Sequence, residues 1–161
     1  MIKLNEAERE IWIKFHEFAY KDDLKLSEKV KDSNPRWSII SGYYAMHDIA
    51  KLYLGKIYNF KISGENVHKQ TINALKIVLT DKKEADKIFE LLKNAEKEIR
   101  EISAEQIPYL LMSGKKERGK AQYYSVNVLT DNKEYAGKAE WFIANIVKVF
   151  IKILEEMINA G

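Results

Sequence analysis

A chain of 161 residues with only seven glycines and two prolines has few places to turn sharply. Sandwiches and barrels need turn signals every 8–12 residues or so, and this sequence does not carry them. Sparse punctuation favours long helices with few connections. The apolar spacing agrees. Asn5 is a good N-cap, with Glu6 and Glu8 near the positive end of the dipole, and Ile11, Trp12, Phe15, Phe18 and Ala19 follow at helical intervals. Lys21–Asp32 is charged and reads as a loop or short helix. Ser33-Asn34-Pro35 starts a second helix that runs to about Leu54, with Gly55 where a C-cap glycine belongs. Ile57–Ser63 reads as a connection.

A third helix is predicted over Gly64–Leu79, on Val67, Ile72, Leu75 and Val78. Thr80-Asp81 caps a fourth over Lys82–Glu101, with Ile88, Phe89, Leu92, Ala95 and Ile99 on its buried face. A fifth is placed around Glu117–Val126. The last runs over Lys133–Ala160 on the stripe Tyr135, Ala139, Phe142, Ile146, Phe150, Ile153 and Met157. Five or six helices without alternating strands make an all-α, antiparallel up-and-down bundle. The length favours one domain, residues 1–161. A residual apolar face on the first or last helix is a candidate dimer surface.

Composition removes several classes of function. The absence of cysteine excludes disulfides, thiol nucleophiles and thiolate metal sites. The net charge of +3 permits a nucleic-acid partner without requiring one. The N-terminus carries charge at once, and Trp141–Met157 is interrupted by Asn145, Lys148, Lys152, Glu155 and Glu156. No membrane segment is predicted, and the expectation is a soluble cytoplasmic protein. The three histidines, His16, His47 and His68, have no paired spacing. Glu65-Asn-Val-His68 has the Glu-x-x-His spacing once, whereas a di-metal bundle site uses it twice. No metal and no cofactor are therefore expected. There is no Gly-x-Ser-x-Gly elbow and no phosphate-binding loop.

Two stretches stand out. The second helix is apolar on most sides, which places it centrally, yet it carries Ser41, Tyr44, His47, Asp48 and Lys51 at or near the core boundary. Such groups either bond to neighbouring helices or line a polar pocket beside the core. The other is Lys115-Lys-Glu-Arg-Gly-Lys-Ala-Gln-Tyr-Tyr124. It reads either as a solvated loop with core tyrosines, or as a place where phosphates meet Arg118 and Lys120 and bases stack on Tyr123 and Tyr124.

Ser41-Gly-Tyr-Tyr-Ala-Met-His-Asp-Ile-Ala-Lys-Leu-Tyr-Leu-Gly55 resembles the second helix of HEPN domains, the "higher eukaryotes and prokaryotes nucleotide-binding" family. His68 falls where many members carry a histidine opening the next helix. Arg118-Gly-Lys-Ala-Gln-Tyr-Tyr124 resembles the family's later Arg-x-x-Ala-x-Tyr segment. The resemblance covers about residues 5–155. It implies a helical bundle, often a homodimer, that binds nucleotide or RNA. It also implies a separate minimal nucleotidyltransferase as partner, in a toxin–antitoxin-like pair. The implied binding residues are Arg118, Lys120, Tyr123 and Tyr124 with Ser41, Tyr44, His47 and His68.

Many members are metal-independent ribonucleases that use Arg, four to six residues, then His on a late helix. Here Arg118 is followed by Tyr123 at that spacing, and the match Arg9–His16 lies on the first helix instead. Tyrosine is a poor general base near neutral pH. Catalytic residues are therefore left unassigned. A divergent metal-independent RNA endonuclease, with His47 or His68 as base, and a helical dimerisation or protein-interaction module are the alternatives.

Overall fold

The computed structural model describes residues 1–113 and 137–161. The described residues form an all-α bundle with one very small antiparallel ribbon. Helix α1 spans Glu6–Val30 and opens with a capping box: Asn5 Oδ1 accepts from the Glu8 amide at 2.9 Å, and Glu8 reaches back to the Asn5 amide. Helix α2 spans Pro35–Tyr58 with Pro35 in its first turn. Helix α3 spans Val67–Val78, and α4 spans Lys82–Ser113, with Asp81 Oδ1 accepting from the Glu84 amide at 2.8 Å. The chain is again helical over 137–142, passes through a π turn at Ile143–Val147 and continues as α5, Lys148–Ala160. None of the described helices is long and apolar enough to cross a membrane.

Helix α2 is the centre of the bundle. Ile39, Tyr43, Met46, Ala50 and Tyr53, the face read from the sequence, are all buried, and so are Ile49, Leu52 and Leu54 on other sides. Helix α1 runs antiparallel along it. At one end of the pair, Ser27 Oγ donates to the Ser38 carbonyl and Ser38 Oγ to the Ser27 carbonyl, each at 2.6 Å in a fully buried contact. At the other, Trp12 Nε1 donates to the Lys51 carbonyl at 3.3 Å, and Arg9 donates to the Lys56 carbonyl at 2.9 Å.

The structure corrects several boundaries. Of the two readings of Lys21–Asp32, loop or short helix, the structure takes neither: α1 continues through it to Val30, because most of its charges face water while Leu24 and Ser27, with Asp23 partly covered, turn inward. Gly55 is not a C-cap. It lies inside α2, where an added Cβ would sit 2.6 Å from Trp12 Cδ1. The helix ends instead at Asn59, left-handed with φ 61°. The expected connection Ile57–Ser63 contains the last turn of α2 and the strand β2, Phe60–Lys61, which pairs with β1, Ile2–Lys3. Two residues per strand give no alternation to read.

Helix α3 begins at Val67 and not at Gly64, since Gly64 and Asn66 both take positive φ. Helix α4 passes Glu101 to Ser113. The expected start of the last helix at Lys133, and Tyr135 of its stripe, lie outside the described residues; from Ala139 the stripe fits up to Phe150 and then slips by one position. Leu154 and Ile158 are buried where Ile153 and Met157 were expected, and these two are only partly covered. The π turn accommodates one extra residue in a turn and so rotates everything after it. The proposed fifth helix, around Glu117–Val126, lies outside the described residues.

Candidate functional site

The polar positions of α2 do not all share one fate. Ser41 is buried, and Tyr44 is 48% exposed. His47 has no exposed surface, and among the described residues neither of its ring nitrogens has a hydrogen-bond partner. A buried polar group without a partner carries a desolvation cost, so its persistence here calls for a reason. His68, near the start of α3, stacks on it with ring centroids 4.0 Å apart and planes 16° from parallel. Tyr43 meets His47 edge-on at 4.6 Å and His68 at 5.2 Å, while Tyr44 meets His68 edge-on at 5.4 Å. Two adjacent tyrosines on α2 therefore bracket an imidazole stack whose outer ring comes from α3.

Electrostatics keep this stack neutral. Burial holds His47 well below the usual histidine range, helped by His68 and by the Lys51 ammonium. His68 is lowered too, by burial first and Lys51 second, with Asp48 opposing. Burial also pushes the Tyr43 hydroxyl up to about 12. A neutral imidazole offers one N–H donor and one acceptor, and Lys51 adds a nearby positive charge. That combination suits an anionic or hydroxyl-bearing ligand better than a metal cation. Among the described residues there is no group of three or more histidine, aspartate or glutamate side chains arranged to hold a metal ion.

The structure thus brings Tyr44, His47 and His68 together, with Ser41 one turn before Tyr44 on the same helix. Arg118, Lys120, Tyr123 and Tyr124 lie outside the described residues. Sequence reasoning did not single out Trp37. It is 63% exposed and lies two turns before Tyr44 on the same face of α2. The i, i+7 spacing Trp37–Tyr44–Lys51 was the available signal. The Arg9–His16 spacing match does not make a pair: Arg9 binds a backbone carbonyl, while His16 Nδ1 lies 2.8 Å from Asp48 Oδ1 in a contact that is nearly buried.

Asp48 is the hub of a second network, beside the first. It faces His16 at 2.8 Å and Lys51 at 3.8 Å, and its charge acts on the Asp23 carboxyl. Burial, and then the Asp48 charge, raise Asp23 to about 6. A carboxyl with a raised folded value costs stability when ionised, and the cost is relieved as pH falls through 6 towards the unfolded value of 3.8. Asp23→Asn is therefore expected to stabilise the fold at pH 7.5 by about 1 kcal/mol, a figure already reduced for solvent screening. The gain should shrink below pH 5, and thermal melts of both proteins at the two pH values check it.

Comparison with protein-family models, with curated proteins and with solved structures finds no match to this chain.

Proposed function

We propose that this chain is a HEPN-type module that binds nucleotide or RNA on the α2–α3 face, working with a separate minimal nucleotidyltransferase in a toxin–antitoxin-like pair. The observation that supports this reading best is the unpartnered, fully buried His47 stacked under His68 beside the exposed ring of Tyr44. Tyr44 and Trp37 offer faces on which bases can stack. Lys51 supplies a charge for a phosphate. The neutral His47 imidazole has hydrogen-bonding capacity that the described protein groups leave unused.

The test is binding of a labelled short RNA and of ATP at low and physiological salt with EDTA present, followed by a gel of the same RNA. Tyr44→Ala is expected to weaken binding by roughly 5- to 150-fold, as loss of one stacked base costs about 1–3 kcal/mol. His68→Ala should weaken it as well. Unchanged affinity in Tyr44→Ala, His68→Ala and Arg118→Ala would sink the reading. RNA cleaved in EDTA would favour the ribonuclease alternative, and loss of cleavage in His47→Ala or His68→Ala would name the base.

A further inference from the structure

A cavity of about 480 Å³ lies where the last turns of α2 and α5 meet the first turn of α4, and it shares no residue with the imidazole stack. Tyr53, Tyr58, Glu84, Ile153, Glu156 and Met157 line it. Its polar side chains offer only acceptors. Tyr58 Oη lies 3.3 Å from the Val78 carbonyl, which can only accept, so the single Tyr58 proton is committed there. Tyr53 Oη lies 3.2 Å from Tyr58 Oη and must then be the donor of that pair. Burial, the bond to Tyr58 and the Glu84 charge all keep the Tyr53 hydroxyl protonated, which fixes this relay. Each hydroxyl has given its only proton to the protein and keeps lone pairs to offer.

The two carboxylates are uncompensated as well. Among the described residues neither Glu84 nor Glu156 makes an ion pair or a side-chain hydrogen bond. None of the described lysines or arginines lines the cavity, although the chain carries 27 such residues and a net charge of +3. Acceptors without a donor are matched by a cation rich in N–H groups. Ile153 and Met157, one turn apart on α5, add an apolar wall that suits methylenes and not a hydrated metal ion. The tyrosine rings favour a cation too. We propose that this cavity binds an aliphatic ammonium cation, such as a short alkyl diamine, with its N–H groups on Glu84, Glu156 and the Tyr53 hydroxyl and its chain against Ile153 and Met157. This inference does not depend on the nucleotide-binding reading.

Amide NMR shifts of the labelled full chain test it, in titrations with butylammonium and diaminobutane and with butanediol and magnesium chloride as controls. Both amines should give saturable shifts centred on Tyr53, Ile153 and Met157, with dissociation constants in the millimolar range expected for a ligand of about six heavy atoms. Butanediol should give none, and magnesium chloride should not reproduce the pattern. Glu84→Gln/Glu156→Gln should weaken both amines by about 5- to 25-fold, since each exposed ion pair contributes up to roughly fivefold. Both side chains are exposed, so folding is not at stake. Tyr53→Phe removes one acceptor and should weaken them by about 2- to 10-fold. Unchanged affinity in the double variant overturns the proposal. So does butanediol that binds as tightly as diaminobutane, magnesium that gives the same shifts, or the absence of any saturable shift with the amines.

Discussion

Gly55→Val is expected to destabilise the fold by about 3 kcal/mol, the upper end for overpacking a filled site, and to lower the melting temperature by roughly 6–12 °C. The reason is the close passage of α1 over α2. A Cβ at Gly55 would stand 2.6 Å from Trp12 Cδ1 and 2.8 Å from Nε1, and both belong to a rigid ring. The ring must then move, which breaks its hydrogen bond to the Lys51 carbonyl and uncovers the groove that Trp12 lines. The cost should be strongly non-additive with Trp12→Ala, because removing the indole removes the obstacle. Gly137→Ala is the contrast. It lies in a helix with nothing within 4 Å of the added methyl, so it should gain about 0.5–1 kcal/mol from helix propensity alone. Thermal or denaturant unfolding of the three variants checks both signs. A Gly55→Val melt equal to wild type would mean that the two helices can separate without loss.

Gly55 also shows where reading the sequence reaches its limit. A glycine after a long apolar helical run has two uses, a left-handed cap or a close helix crossing, and only the tertiary partner decides between them. That partner, Trp12, is more than forty residues away. The face of α2 was legible because one helix surrounded by neighbours needs apolar residues on nearly every side. The end of α1 was not, since a run of lysines and aspartates looks like a loop until Leu24 and Ser27 are seen to point inward. The slip after Phe150 was likewise invisible: a π turn leaves no signature in a stripe that remains apolar on either register.

The candidate site divides in the same way. Tyr44 and His47 share a helix, so the sequence places them on neighbouring turns. The stacking of His68 on His47 depends on how the left-handed residues Gly64 and Asn66 aim α3, which spacing does not encode. The resemblance to HEPN domains drew attention to His68 without saying which ring it would meet. Asp23, Asp48 and His16 come from two helices, and the sequence offered only Asp48 as a polar residue at the core boundary.

His47→Leu is expected to make the protein more stable while impairing whatever the site binds. With neither nitrogen bonded among the described residues and no exposed surface, the imidazole forfeits its hydrogen bonds to water on folding. Relief of that penalty is worth about 1–3 kcal/mol at neutral pH. The gain should grow on acidification. Burial depresses the folded value of His47 below the ordinary 6.5, so beneath pH 6.5 the unfolded chain takes up a proton that the folded chain refuses, and wild-type stability falls. Leucine has no proton to take, so the two stability curves should diverge from about pH 6.5 downward. His68 stays in both proteins and contributes the same slope to each, because it too is depressed by burial. Asp23 works in the opposite direction, gaining stability as pH falls through 6, which is why the difference between variant and wild type, and not either curve alone, isolates His47. If His47→Leu is instead less stable at pH 7, the imidazole contributes through its stack with His68 and its edge contact with Tyr43, and its place in the core needs no ligand to explain it. If it is more stable and binds RNA and ATP less well, the site is one where stability has been given up for recognition.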